Sequence, residues 1–188
     1  MNKKSNNKMI PFKGFEELNY FLKRRYGNSL SFLKKVLPES STILDLGTPN
    51  KLSELIGQNG YSVINTGGED LDDNYANINS YDAELVTAFE IFEHLVAPYN
   101  VLKEMKHKKL VATIPLKQWF AGAYWHPTDK WDRHYHEFES KQFDMLLEKS
   151  GWKIIYAEKW TAPVRVLGIR PILRLFTPRY YAVYCERI

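Results

Sequence analysis

The sequence has a single cysteine, Cys185, in 188 residues. That excludes an internal disulfide and a zinc site built from cysteines. It also fits a reducing compartment, so a cytoplasmic location is expected. No apolar run reaches membrane-spanning length. The opening Met1-Asn2-Lys3-Lys4-Ser5-Asn6-Asn7-Lys8 is charged but is followed by no apolar core of signal-peptide length. Internal repeats and low-complexity tracts are missing. So is a strong charge of one sign: the net charge is only +4. The basic residues collect at the two ends, as Lys3, Lys4 and Lys8 and as Arg165, Arg170, Arg174, Arg179 and Arg187. A nucleic-acid binder shows a stronger, clustered basic face, so no nucleic-acid partner is expected.

What is present is the composition of a folded domain, 44% apolar and 26% charged. Residues 1–40 read as a loose tail followed by two helices, the first carrying Phe15, Leu18 and Leu22 and the second Leu30, Leu33 and Leu37, with Pro38 ending it. Residues 41–188 then read as one α/β domain. Apolar strands are expected at residues 42–46, 61–66, 84–89, 110–114, 152–160 and 180–185. Helices carry Leu52, Leu55 and Ile56, then Val101, Leu102 and Met105 behind Pro98, then Phe143, Leu146 and Leu147 before Gly151. The acidic, turn-rich stretch from Gly67 to Ser80 has room for at most one short strand, near Ala76–Asn79. Strands alternating with helices imply a mostly parallel central sheet with helices on both faces, a Rossmann-like α/β fold. Ligands bind such sheets beyond the carboxyl ends of the strands.

Two segments carry chemistry. Thr42-Ile43-Leu44-Asp45-Leu46-Gly47 is an apolar strand ending in an acid and a glycine. Tyr81-Asp82 through Leu85-Val86-Thr87-Ala88 leads into Phe89-Glu90-Ile91-Phe92-Glu93-His94-Leu95. With the helix behind Pro98, the strand ending at Pro115, and His136-Glu137-Phe138 before a helix ending Lys149-Ser150-Gly151-Trp152, this order resembles the class I S-adenosylmethionine-dependent methyltransferases over roughly residues 40–160. The family's first motif is Asp-x-Gly-x-Gly-x-Gly. Asp45 and Gly47 match it, while Pro49 and Lys51 stand at the second and third glycines.

The resemblance implies an S-adenosylmethionine cofactor held by Asp45, Gly47 and Thr48, with Phe89 and Glu90 beyond the next strand end. The family's ribose-binding acid falls near Gly67, and Glu69 and Asp70 lie just past it; a carboxylate there accepts two hydrogen bonds from a vicinal diol. Thr48 as helix cap with Pro49 in the first helical position is a favoured pair, and Lys51 could offer its charge to the methionine carboxylate. An antiparallel last strand is expected, as is a shrunken helix and strand between Gly67 and Asp82.

Methyl transfer is a displacement at a sulfonium methyl, dominated by alignment, often with a base for an oxygen or nitrogen acceptor. The base candidates are His94, His126 and His134, with Tyr135 beside them. Trp119, Phe120, Tyr124, Trp125 and Trp131 could wall an acceptor pocket. Asp132, His134 and His136 alternate and would converge on a metal if they lay on a strand, although the resemblance requires none. The stretch from Val164 to Tyr184 mixes apolar residues with arginines. It reads either as a hairpin with its loop or as a flap meeting an anionic or lipid-linked acceptor, and Pro163, Pro171 and Pro178 argue against a continuous amphipathic helix there. The function expected is methyl transfer to a small-molecule acceptor. The alternative is a non-catalytic binding domain of the same fold.

Overall fold

Alternation of apolar side chains along short strands builds the sheet. In a strand, successive residues face opposite sides, and here both sides are covered. The computed structural model describes residues 12–164 and 168–188; the lysines of the N-terminal tail and Arg165 lie outside them. The strands are β1 (Thr42–Asp45), β2 (Ser62–Asn65), β3 (Leu85–Phe89), β4 (Lys109–Pro115), β5 (Trp152–Thr161) and β6 (Pro178–Arg187). Their order across the sheet is β2-β1-β3-β4-β6-β5. The first four are parallel, and β6 runs antiparallel between β4 and β5.

On one face Leu44, Val86, Leu110, Ala112, Ile114 and Val183 pack against α3 (Pro98–Glu104) and α4 (Ser140–Lys149). On the other, Ile43, Leu85, Val111 and Ala182 meet α1 (Tyr20–Val36) and α2 (Lys51–Gln58). Each fully buried Leu, Ile or Val contributes about 1.5–3 kcal/mol. Cys185 sits in β6 as a buried apolar residue, and burial pushes its thiol up to about 12.

Several expectations change. A single helix, α1, replaces the pair expected before β1 among the described residues. Asn19 caps it, its side chain accepting from the Leu22 N–H at 3.0 Å, and the helix runs straight through Gly27, which has no backbone reason to stop it. Phe15 and Leu18 lie in turns before the cap. No strand forms at Ala76–Asn79. One 3-10 stretch, Tyr75–Ser80, crosses over instead, with Ile78 buried beneath it. The middle segment is thus short, and among the described residues no strand lies outside β2. At the C-terminal end, α5 (Ile169–Phe176) is an amphipathic helix despite its proline. Pro171 falls in the first turn, where a missing N–H costs no helical hydrogen bond. Ile169, Ile172, Leu175 and Phe176 are exposed, Phe176 at 82%.

Candidate active site

The carboxyl ends of β1 and β3 open onto a cleft. Asp45 ends β1, buried, and its carboxylate accepts from the Thr87 hydroxyl at 2.6 Å and the Asn65 amide at 3.1 Å. Gly47 follows at φ +105°, a left-handed conformation that glycine adopts without steric cost. Its N–H donates to the Thr66 hydroxyl at 2.7 Å and its carbonyl accepts from Asn65 at 3.3 Å. The turn is thus held by β2 and by Thr87 of β3, with no second or third glycine.

The helix beyond it is capped by Asn50, not by Thr48. The Asn50 side chain accepts from the N–H groups of Leu52 and Ser53, and the Ser53 hydroxyl accepts from the Asn50 N–H. This reciprocal cap satisfies the first-turn donors and leaves Pro49 outside the helix, where its lack of N–H removes nothing. Lys51 pairs with Glu54 at 3.2 Å on the exposed face. Arg25 of α1 lines the cleft beside Asp45 and Gly47, a cation that no motif in the sequence singles out.

The cleft has two compartments. One, about 310 Å³, is lined by Arg25, Tyr26, Asp45, Gly47, Asn50 and Phe89, among others. The second, about 950 Å³, is bordered by Gly47, Thr48, Glu69, Asp70, His94 and Trp131, among others. Gly47 and Thr48 therefore form the ridge between a cationic, amide-lined end and an acidic end. Asp70 is partly used by its own turn, accepting from the Asp72 N–H at 3.0 Å. Glu90, at φ +57°, does not line either compartment; its carboxylate accepts from the Thr113 hydroxyl at 3.0 Å.

The histidines part company. His126 accepts the Asp129 N–H on Nδ1 at 2.9 Å and organises its own turn, away from the cleft. His94 and His134 come together, with ring centroids 4.9 Å apart at 84°. The backbone of the loop brings them there: the N–H groups of Tyr135 and His136 both donate to the Glu93 carbonyl, at 2.8 and 3.2 Å. The expected alternation of Asp132, His134 and His136 does not converge, because the segment is a loop rather than a strand. Asp132 accepts from the Tyr124 hydroxyl at 2.7 Å, and His136 Nε2 lies 3.2 Å from the Val96 carbonyl. Of the aromatic residues, Tyr124 lines a further arginine-rich cavity and Trp131 the acidic compartment. Trp119 and Trp125 project to solvent.

Electrostatics distinguish these groups. Burial raises the Asp45 carboxyl from its ordinary 3.8 to about 6, against the lowering effect of the Thr87, Asn65 and Asn50 hydrogen bonds. Burial pushes the Glu93 carboxyl well above the ordinary range, and neighbouring Glu90 adds repulsion. Burial raises Glu90 too, partly offset by Arg25. His134 is lowered by burial and then by His94.

For Asp45 the sign is definite. An acid that is harder to ionise when folded stabilises the fold fully below pH 3.8, and that stability is lost as pH rises through about 6. The gap corresponds to about 3 kcal/mol at most. Urea unfolding of wild type and Asp45→Asn at pH 4 and pH 7 should show wild type losing stability relative to the variant as pH rises. A constant difference between them would refute the assignment.

No family model matches the sequence, and no curated protein matches it. Solved structures do match. A Listeria monocytogenes protein described as a putative S-adenosylmethionine-dependent methyltransferase is 13% identical, at TM-score 0.59, covering 87% of this chain and 98% of its own. An Archaeoglobus fulgidus S-adenosylmethionine-dependent methyltransferase is 14% identical, at TM-score 0.54, covering 90% and 100%. The magnesium protoporphyrin IX methyltransferase of Synechocystis, solved with S-adenosylhomocysteine bound, is 11% identical, at TM-score 0.50, covering 92% and 89%. The class is defined at the level of architecture: this chain has the Rossmann-like fold of the class I S-adenosylmethionine-dependent methyltransferases. Among the described residues no helix is long and apolar enough to cross a membrane.

Proposed function

We propose that this protein transfers a methyl group from S-adenosylmethionine to a small, anionic acceptor. The observation that carries the reading is the two-compartment cleft at the carboxyl ends of β1 and β3, divided by Gly47 and Thr48. Its chemistry suits the cofactor end to end. Arg25 and the amide of Asn50 offer donors to the methionine carboxylate. Asp45 faces the side of the amino group. Glu69, and Asp70 less freely, offer acceptors to the ribose hydroxyls. Phe89 lines the Arg25 compartment, and Ile91 borders both compartments with Gly47 and Thr48. The protein's part in the reaction is to bring the methyl carbon in line with the acceptor atom and exclude water.

A third cavity, about 460 Å³, adjoins this cleft through Arg25 and is lined also by Gln118, Tyr124, Glu137, Arg174 and Arg179. The arginines favour an acidic acceptor, since guanidinium groups pair carboxylates and phosphates in fork geometry. Arg174 comes from α5, whose exposed apolar side chains favour an acceptor that carries an apolar tail. The basic, apolar C-terminal stretch is thereby given a role as one wall of the acceptor site.

Calorimetry with S-adenosylhomocysteine tests the reading. Saturable heat is expected, and Arg25→Ala should weaken binding by about tenfold or more, the loss of one charge-assisted hydrogen bond. The absence of both heat and a thermal shift at millimolar ligand would refute it.

A further inference from the structure

The loop that carries His134 folds back on the short 3-10 turn Phe92–His94 and encloses a cluster the cofactor reading leaves unused. Glu93 is 1% exposed, and neither of its carboxylate oxygens has a hydrogen-bond partner among the described residues. Leaving a buried carboxylate unpartnered costs far more than pairing it. Its Oε1 lies 3.8 Å from His94 Nε2. Glu93, His94 and His134 each offer a ligand atom, all within 4.8 Å of one another.

His94 turns its Nε2 toward Glu93. His94 Nδ1 lies 3.0 Å from the Arg133 carbonyl, which can only accept, so Nδ1 carries the proton and Nε2 is free. His134 Nδ1 lies 3.3 Å from the Glu137 carboxylate, which fixes the same tautomer. Metal-binding histidines are oriented in this way, donating their other N–H to a carbonyl or a carboxylate.

We propose that Glu93, His94 and His134 form a divalent-metal site of the two-histidine, one-carboxylate type, suited to zinc, manganese or iron. Imidazole and carboxylate together favour these ions over the all-oxygen ions calcium and magnesium. Bonds of about 2.0–2.2 Å place three such ligands about 3.3 Å apart, a contraction that rotamer adjustment of His94 and His134 supplies. The cluster is reached from the cofactor cleft, because His94 lines the compartment that holds Gly47 and Thr48. Glu137, the partner of His134, lines the acceptor cavity on the other side.

Resting on the methyl-transfer reading, the metal's open positions bind an acceptor hydroxyl. The cation lowers that group's pKa; the hydroxyl proton passes to solvent; the oxygen forms its bond to the methyl carbon; and the carbon–sulfur bond breaks with its electron pair going to sulfur. The products are a methyl ether and S-adenosylhomocysteine.

The test uses the full chain stripped with chelator and titrated with Zn²⁺, with Co²⁺ as a spectroscopic probe. Wild type should bind a single Zn²⁺ per chain and give visible d–d absorption with Co²⁺. Glu93→Gln, His94→Gln and His134→Gln should each weaken Zn²⁺ binding by about 10–100-fold, with circular dichroism confirming folded protein. Absence of saturable binding to wild type overturns the proposal, as does equal affinity in the three variants. Calorimetry of the same stripped protein with S-adenosylhomocysteine reports on the cofactor cleft separately, so either reading can fail while the other stands.

Discussion

Gly47→Val is expected to abolish S-adenosylhomocysteine binding, by more than about 100-fold, which is about 3 kcal/mol. Two effects add. The backbone at φ +105° is a conformation that a β-branched residue reaches only with strain, at about 1–3 kcal/mol. The side chain also fills the ridge shared by both cleft compartments. A first carbon there would meet Ile91 at an ordinary 3.6 Å, so the branch beyond it extends into the space the cofactor needs. Strain and steric blockade separate in the measurement. Chemical denaturation reads the first and calorimetry the second, and a variant that is destabilised yet binds normally would refute the placement of the ligand. Gly57→Ala is the matched control. Gly57 lies inside α2 with nothing within 4 Å of an added carbon, so this change should raise stability by about 0.5–1 kcal/mol and leave binding untouched.

The second large effect separates stability from function. Glu93→Leu should raise the unfolding free energy of metal-free protein by about 1–3 kcal/mol while eliminating Zn²⁺ binding and methyl transfer. A buried carboxylate with no partner and an acidic neighbour is a standing cost, and an apolar side chain of similar volume removes it. Phe92, just before it, and Leu95, two residues after it, are already buried. Loss of stability instead would mean that the carboxylate is satisfied in the folded protein, and the metal reading would lose its main support. Retained activity with raised stability would remove Glu93 from the chemistry altogether.

Much of the sheet was legible because its signal is local. Ile43 against Leu44, and Val111 against Leu110 and Ala112, alternate between the two cores as a two-residue period requires. Pro98 opened α3, and Gly151, at φ +91°, follows the end of α4 as a helix-terminating glycine should. The contraction between Gly67 and Asp82 could be read from the length of that connection against the one the resembled family uses. Where the reading slipped, the deciding contact was non-local or the periodicity ambiguous. The apolar spacing of residues 15–37 fits two helices or one, and the cap at Asn19 chooses one. Thr48 and Asn50 are both acceptable caps by type. Asn50 holds the position because Ser53 completes the reciprocal bond, which leaves Lys51 to Glu54, while Arg25 lines the cleft beside Asp45.

The same division runs through the candidate site. Asp45, Gly47 and Phe89 were visible as strand ends, and His94 as the close of a motif. Nothing in the order of residues marks Arg25, more than a helix away, or says that Glu93 is buried without a partner. His126, His134 and His136 looked alike in one polar loop. The fold gives the first to a local turn, the second to Glu93 and His94, and the third to the Val96 carbonyl.

By itself the chain's residue order determined the class of fold, because hydrophobic period and turn chemistry act over a few residues and leave their mark wherever they occur. Only tertiary structure decided which charged groups share a cavity, because desolvation and ligand geometry depend on atoms that distant segments bring within a few ångströms, and such distances have no counterpart along the sequence.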